Sequence, residues 1–204
     1  ALYQVNSLIV ALDKLAASQS RNEILGVASF FRGLIYYHLV SRYGEVPILE
    51  APFSGDIAAS TEEEGWSFVE KNFQVAIDYA PTFSDKYYVS KQAAKALMAR
   101  TKLAQGKLTE AAKLAEEVIG DANFSLADFD QIFRGKANRE EIFSFVNLLN
   151  ESSVNLSASL YSRASANGGS YTYAPTTKVM NMFEPDDKRT AISIDMQETN
   201  RSEE

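Results

Sequence analysis

From Leu2 to about Ala17 apolar residues recur three and four positions apart. Val5, Leu8, Ile9, Leu12, Leu15 and Ala16 fall on one stripe, the pattern of a helix with a single buried face. Ser20 followed by Glu23 has the form of a capping box, which predicts a second helix starting there and running to about Tyr43. Its apolar positions, among them Ile24, Val27, Ala28, Phe31, Leu34, Ile35 and Leu39, cover most of the circumference. A spread that wide predicts a central helix buried on more than one side. Gly44 supplies the stop, and Pro47 follows it.

Residues 45 to 60 lose the helical period and hold Pro47, Pro52 and Gly55, so they are expected as a surface loop. Ser60 with Glu63 is a second capping-box signal, and the glutamates at 62 to 64 suit a positive helix N-terminus. Trp66, Val69, Phe73, Ala76 and Ile77 then form a stripe that ends before Pro81. Ser90 is placed to cap a helix reaching about Gln105, with Ala93, Ala96, Leu97 and Leu103 inward and Gly106 as breaker. Thr109 is placed to cap the next helix, with Ala111, Ala112, Ala115, Val118 and Ile119 facing a partner and Gly120 ending it. Leu126, Phe129, Ile132 and Phe133 suggest a short helix after Ser125.

Beyond about residue 134 the pattern changes. Ile142 to Leu149 suits either an extended segment or a helix, and periodicity does not choose. Residues 150 to 174 are rich in Ser, Asn, Gly and Tyr, a long irregular stretch of the kind that carries function or stays disordered. Pro175 opens one further short helix with Val179, Met180 and Phe183, and the last fifteen residues are polar. The expectation is one all-α domain over 1–204, with a helical repeat region at about 1–134 and a loop-rich segment at about 135–204.

Composition narrows the function classes. The 204 residues carry a net charge of −7, which argues against nucleic-acid binding, where cations must cluster against phosphates. The absence of cysteine removes disulfides, thiolate metal sites and cysteine nucleophiles. No signal peptide and no unbroken apolar run of 18 residues stands in the sequence, and Ala1 leaves room for an export signal or lipid anchor ahead of it. Nothing calls for a cofactor: there is no glycine-rich phosphate loop, no G-x-S-x-G and no HExxH. His38, the sole histidine, is expected as a half-buried packed ring. Arg32 and Arg42 are expected to pair with acids such as Glu45 or with helix C-terminal carbonyls. Asp186–Asp187 offer hard oxygens to calcium, but without a ligand loop they are expected to be solvated.

Two helix pairs share a spacing. In the second, Gly106, Ala111 and Val118 follow Ala99 at tetratricopeptide-like intervals, with small residues where two antiparallel helices approach. The first pair, ending at Tyr43–Gly44 and resuming at Trp66, has the same form with about twenty extra residues between its helices.

The order of several phrases then carries a resemblance. Gly26-Val-Ala-Ser-Phe-Phe-Arg-Gly-Leu-Ile-Tyr-Tyr-His-Leu-Val-Ser-Arg-Tyr-Gly-Glu-Val-Pro-Ile48 resembles a long phrase of the SusD/RagB family. Thr61-Glu-Glu-Glu-Gly-Trp66, Val89-Ser-Lys-Gln-Ala-Ala-Lys-Ala-Leu-Met-Ala-Arg100, Glu140-Glu-Ile-Phe-Ser-Phe145 and Asp186-Asp-Lys-Arg189 follow in the family's order, the last after a helix beginning Pro175-Thr176. The sequence departs from the family at Asp56-Ile-Ala-Ala-Ser60, where a basic phrase is common, and it is less than half the usual family length. The resemblance implies an all-α fold of tetratricopeptide-like pairs in a right-handed superhelix with long loops. It also implies a non-catalytic, lipid-anchored protein on the outer face of the outer membrane that binds glycans beside a TonB-dependent transporter. The lipid-carrying cysteine would lie upstream of Ala1.

A glycan site needs exposed aromatic faces for sugar C–H surfaces, and amides or carboxylates for hydroxyls. Asn167, Tyr171 and Tyr173 supply both around Gly168–Gly169, and Phe53 and Asp56 do so in the first loop. Tyr87–Tyr88 form a third candidate, while Trp66 lies on an apolar stripe and is expected in the core. The alternative for each tyrosine is a ring packed on the helices with only its hydroxyl in water. Two other functions stay open. One is a tetratricopeptide-type groove gripping a peptide, marked by Asn, Lys and Arg. The other is a helical glycoside hydrolase, marked by two carboxylates about 5 to 10 Å apart in a cleft.

Overall fold

The computed structural model describes residues 1–132, 138–146, 159, 170, 172–184 and 186–193, and within them the only β-type pairing is an isolated bridge between Val46 and Ser60. The expected all-α class is what the backbone forms. Among the described residues eight helices follow in order: α1 (Leu2–Leu12), α2 (Gln19–Tyr43), α3 (Glu62–Tyr79), α4 (Lys91–Ala104), α5 (Leu108–Ile119), α6 (Phe129–Ile132), α7 (Thr177–Met180) and α8 (Lys188–Ser193). They divide between two compact units. The first comprises Ala1–Leu126 with Arg139–Ser144, the second Ala127–Asn138 with Phe145–Glu204.

In the first unit each helix packs on the next: α1 on α2, α2 on α3, α3 on α4 and α4 on α5. Glycines allow the closest of these approaches. A Cβ built at Gly26 would lie 2.3 Å from the Ala80 backbone nitrogen, and one at Gly33 would lie 2.9 Å from the Phe73 ring. The α2–α3 seam holds Phe30, Tyr36, Val40, Val69 and Phe73, all essentially inaccessible to water. Burying each such side chain contributes about 1.5–3 kcal/mol. At the α4–α5 turn Ala99, Ala111 and Val118 are buried, and Gly106 takes φ 73°, a left-handed conformation costly for a residue with a Cβ. The tetratricopeptide spacing read from these four residues thus corresponds to a real close-packed pair.

Helix α2 has the length and apolarity of a membrane-crossing helix, although polar residues interrupt it. Its apolar surface is accounted for by neighbours, because Phe30, Tyr36 and Val40 are buried while Val27, Phe31, Leu34, Tyr37 and Leu39 pack at the edge of the same core. A strap at 139–144 adds to that core. Phe143 meets Phe30 and Phe31 edge-on at 5.1 and 6.4 Å, and Ser144 N donates to Lys86 O at 2.8 Å. Ile142 is also packed there, and 142–146 is neither helix nor strand.

Several boundaries and faces differ from expectation. Helix α1 stops at Leu12, not near Ala17, because Arg21 Nε donates to Leu12 O and Arg21 Nη2 pairs with Asp13 at 3.2 Å; Leu8 and Leu15 are then exposed. Helix α2 is capped by Ser18, whose hydroxyl accepts from Arg21 N, and not by Ser20 with Glu23. The α3 capping box is Thr61 with Glu64, one residue beyond Ser60 and Glu63, since Ser60 is engaged in the bridge to Val46. Thr109 does not cap α5, which starts one residue before it. Leu103, Ala112 and Ile119 point to solvent.

In the second unit, α6 is only four residues long and lies against α8, a helix the sequence pattern did not suggest. Helix α7 begins at Thr177, two residues after the expected start at Pro175, and is capped by Thr176 Oγ1, which accepts from Val179 N at 3.4 Å. Asp187 accepts from the Arg189 backbone and guanidinium, so the Asp-x-Arg phrase closes on itself. That pairing holds the Asp187 carboxyl below the usual carboxylate range.

Candidate functional site

The 46–60 loop is built on the α2–α3 seam. Gly44 turns the chain out of α2 at φ 68°, and Ser60 N donates to Val46 O at 3.0 Å, which brings the two ends together. Buried polar groups fix the loop's base. Tyr36 Oη donates to Pro47 O at 3.1 Å and accepts from Leu49 N at 2.7 Å, while Asn6 Nδ2 donates to Leu49 O at 2.8 Å. Arg32 donates to Asn72 Oδ1 at 2.6 Å and reaches Asn6 Oδ1 and Glu50 O, each at 3.5 Å, with its guanidinium over the Phe68 ring. Burial pulls the Arg32 pKa down from its ordinary value, opposed by the nearby Glu50 carboxylate, and burial pushes the Tyr36 phenol up. Arg32 is therefore structural, as expected, but its partners are the amide oxygens of Asn72 and Asn6 and the Glu50 carbonyl and not an acid such as Glu45 or a helix C-terminal carbonyl.

From that base residues 51–59 stand exposed along their whole length. Phe53 is 52% accessible, with its ring edge against Gly55 (φ 144°), and Asp56 is exposed on the same excursion. Phe53 and Asp56 thus stand exposed on the same loop. Tyr173 is 66% accessible in the second unit, its backbone N–H donating to Ser159 O. Asn167 and Tyr171 lie outside the described residues. Tyr87 and Tyr88 are also exposed, whereas Trp66 is in the core with Nε1 donating to Glu62 Oε1 at 3.0 Å. His38 is exposed, its ring edge-on to Tyr37, and is not the half-buried ring expected.

Depressions on the first unit include two beside α3. One, of about 490 Å³, lies where the loop base meets α3 and is lined by Ile48, Glu50, Ser60, Glu63, Glu64, Ser67, Phe68 and Lys71. The other, of about 550 Å³, lies across α3, α4 and α5 and includes Glu70, Lys102, Glu110, Lys113 and Glu117. Within it Lys102 Nζ sits 2.8 Å from carboxylate oxygens of both Glu70 and Glu110, and Glu70 also accepts from Lys107 and Gln105. Burial works against the charged form of Glu70, but these donors outweigh it and hold the pKa below 4.5. A glycosidase acid needs the opposite shift. Lysines and glutamates alternate in this groove, so it is not the cationic cradle that grips a peptide carboxylate. The exposed aromatic side chains lie outside both linings. Among the described residues no cluster of three or more His, Asp or Glu side chains is arranged to hold a metal.

Sequence reasoning missed Asn6, Asn72 and Tyr36 as loop anchors. The signal was present: Asn6 and Asn72 interrupt apolar stripes at positions helical spacing turns inward, and a buried cation needs such oxygens.

Stacked antiparallel helix pairs with a long loop inserted in the first pair define a tetratricopeptide-like helical protein. Comparison places it further. Residues 1–103 match the SusD-like family described as starch-binding and associating with the outer membrane, and the chain belongs to that family. It is 26% identical over 205 residues to SusD-like protein P2 of Formosa agariphila, covering 90% of this chain and 41% of that protein. A SusD superfamily structure from Bacteroides fragilis superposes with a TM-score of 0.76 at 23% identity, covering 93% of this chain and 48% of that one. A laminarin-binding SusD-like protein superposes at 0.60 with 23% identity, over 64% of this chain and 32% of the other. The chain therefore spans less than half the length of these relatives. Its long family phrase does identifiable structural work, with Gly26 and Gly33 setting the α2–α3 approach, Arg32 and Tyr36 holding the loop base, and Gly44 turning into it.

Proposed function

We propose that this protein binds neutral glycans without transforming them, as a lipid-anchored surface component that hands sugar to a TonB-dependent transporter. In this reading residues 1–204 act as one SusD-like helical domain. The observation that carries the reading is the match of residues 1–103 to a family described as starch-binding, supported by the likeness to a laminarin-binding SusD-like structure. The geometry is compatible with it. Phe53 and Asp56 share an exposed loop on a fully bonded base, and Tyr173 offers a second exposed ring. With Asn167 and Tyr171 these are the proposed sugar-contacting residues: the rings would stack on pyranose C–H faces while carboxylate and amide accept or donate to hydroxyls. Binding is non-covalent and needs no cofactor or metal. Membrane association would come only through an anchor outside the sequence, and nucleic acid is not a partner for a chain of net charge −7.

Isothermal titration of the protein with soluble starch and with laminarin tests the reading. Saturable binding to either supports it, and no heat from either contradicts it. Phe53→Ala is expected to weaken binding several-fold.

A further inference from the structure

The 81–89 turn between α3 and α4 is tied down by hydrogen bonds at its ends and within it. Lys91 N donates to Pro81 O at 2.9 Å, and Phe83 N donates to Gln92 Oε1 at 2.9 Å. Inside the turn Asp85 folds the chain on itself: Tyr87 N donates to Asp85 Oδ1 at 2.9 Å, and Tyr88 N to Asp85 O at 3.2 Å. The strap fixes the turn from outside, through Ser144 N to Lys86 O at 2.8 Å and an ion pair between Lys86 and Glu141. Val89 and Ser90 at its end are buried. On this fixed base Tyr87 and Tyr88 stand 47% and 68% accessible, and the Lys86 ammonium lies 5.2 Å from the Tyr87 ring centroid.

Two adjacent exposed phenol rings on a pre-ordered turn are unusual, because an amphipathic ring ordinarily packs its apolar body inward. A ligand that stacks on them need not order the loop, which removes a common cost of binding. We infer that Tyr87 and Tyr88 form a separate aromatic platform that takes the apolar face of a neutral hexopyranose chain, apart from the Phe53–Asp56 loop. Neutral sugar is specified because Lys86, the cation lying against the Tyr87 ring, is already paired with Glu141 and is not offered to a carboxylate or sulfate. The inference rests on the glycan-binding reading and adds a second contact region to it.

The test is titration of laminarin and soluble starch into the protein and three variants, with thermal unfolding recorded for each. Tyr87→Ala with Tyr88→Ala is expected to leave the melting temperature nearly unchanged and to weaken binding roughly tenfold. Tyr87→Phe with Tyr88→Phe keeps both rings and is expected to retain affinity within about threefold; a loss equal to that of the alanine pair overturns stacking. Tyr88→Ala alone, at the more exposed ring, is expected to show an intermediate loss and guards against a folding defect in the double variant. If the unaltered protein binds and both alanine variants bind equally well, the platform is refuted while the glycan reading stands. If the unaltered protein binds neither polysaccharide, both fall.

Discussion

Arg32 is 6% accessible, and among the described residues it is met by amide and carbonyl oxygens but forms no salt bridge with a carboxylate. A buried cation served by neutral acceptors depends on every one of them, because removing a partner leaves the full desolvation cost uncompensated. Asn72 supplies the 2.6 Å contact and also donates to Phe68 O at 2.7 Å. Asn72→Ala is therefore expected to lower unfolding free energy by about 2–3 kcal/mol, read from urea denaturation; a change near zero would mean the guanidinium finds another acceptor. The glycines separate two kinds of cost. Gly26→Ala drives a Cβ to 2.3 Å from backbone that cannot step aside, whereas at Gly106 nothing lies within 4 Å and only the φ of 73° is unfavourable. The first is expected to cost about 3 kcal/mol or more and the second about 1–2 kcal/mol. Equal melting temperatures for the two variants would contradict this account of the α2–α3 seam. The sequence showed glycines and arginine in the family phrase, but not that Arg32 turns inward, since that depends on Asn6 and Asn72 arriving from two other helices.

Helix existence was legible because apolar period and caps are local properties. The starts were less so. Thr61-Glu-Glu-Glu64 follows Ser60 directly, so two capping registers satisfy the same pattern, and the choice was made by the tertiary bridge from Ser60 to Val46. At α1 the end was likewise set by a distant group, the Arg21 side chain on Leu12 O. Between elements the Glu70 clamp joins α3 to α4 and the following turn. Its carboxyl is held below 4.5 in the folded state. The unfolded chain binds that proton first on acidification, so the clamp's contribution is present above pH 4.5 and is lost as pH falls through the folded value. Glu70→Gln is accordingly expected to lower the melting temperature at pH 7 and to show a smaller deficit at pH 3. A deficit that is constant or grows on acidification would contradict the clamp.

Across the whole molecule, the breadth of α2's apolar surface announced a central helix, and the structure places α1, α3 and α4 around it. The spacing of Ala99, Gly106, Ala111 and Val118 announced the second pair. What could not be read was accessibility: nothing local distinguishes Tyr36, wholly buried with its hydroxyl on the loop backbone, from Tyr88, which stands largely in water. Stacking chemistry is available only to the second kind. The proposed sugar ligand draws on the family membership and on these exposed rings, and electrophoretic mobility in polysaccharide gels tests that proposal directly. Migration of the protein is expected to be retarded in native gels containing laminarin or starch, relative to a non-binding control and to a plain gel. Identical relative mobility in all three gels would contradict the account.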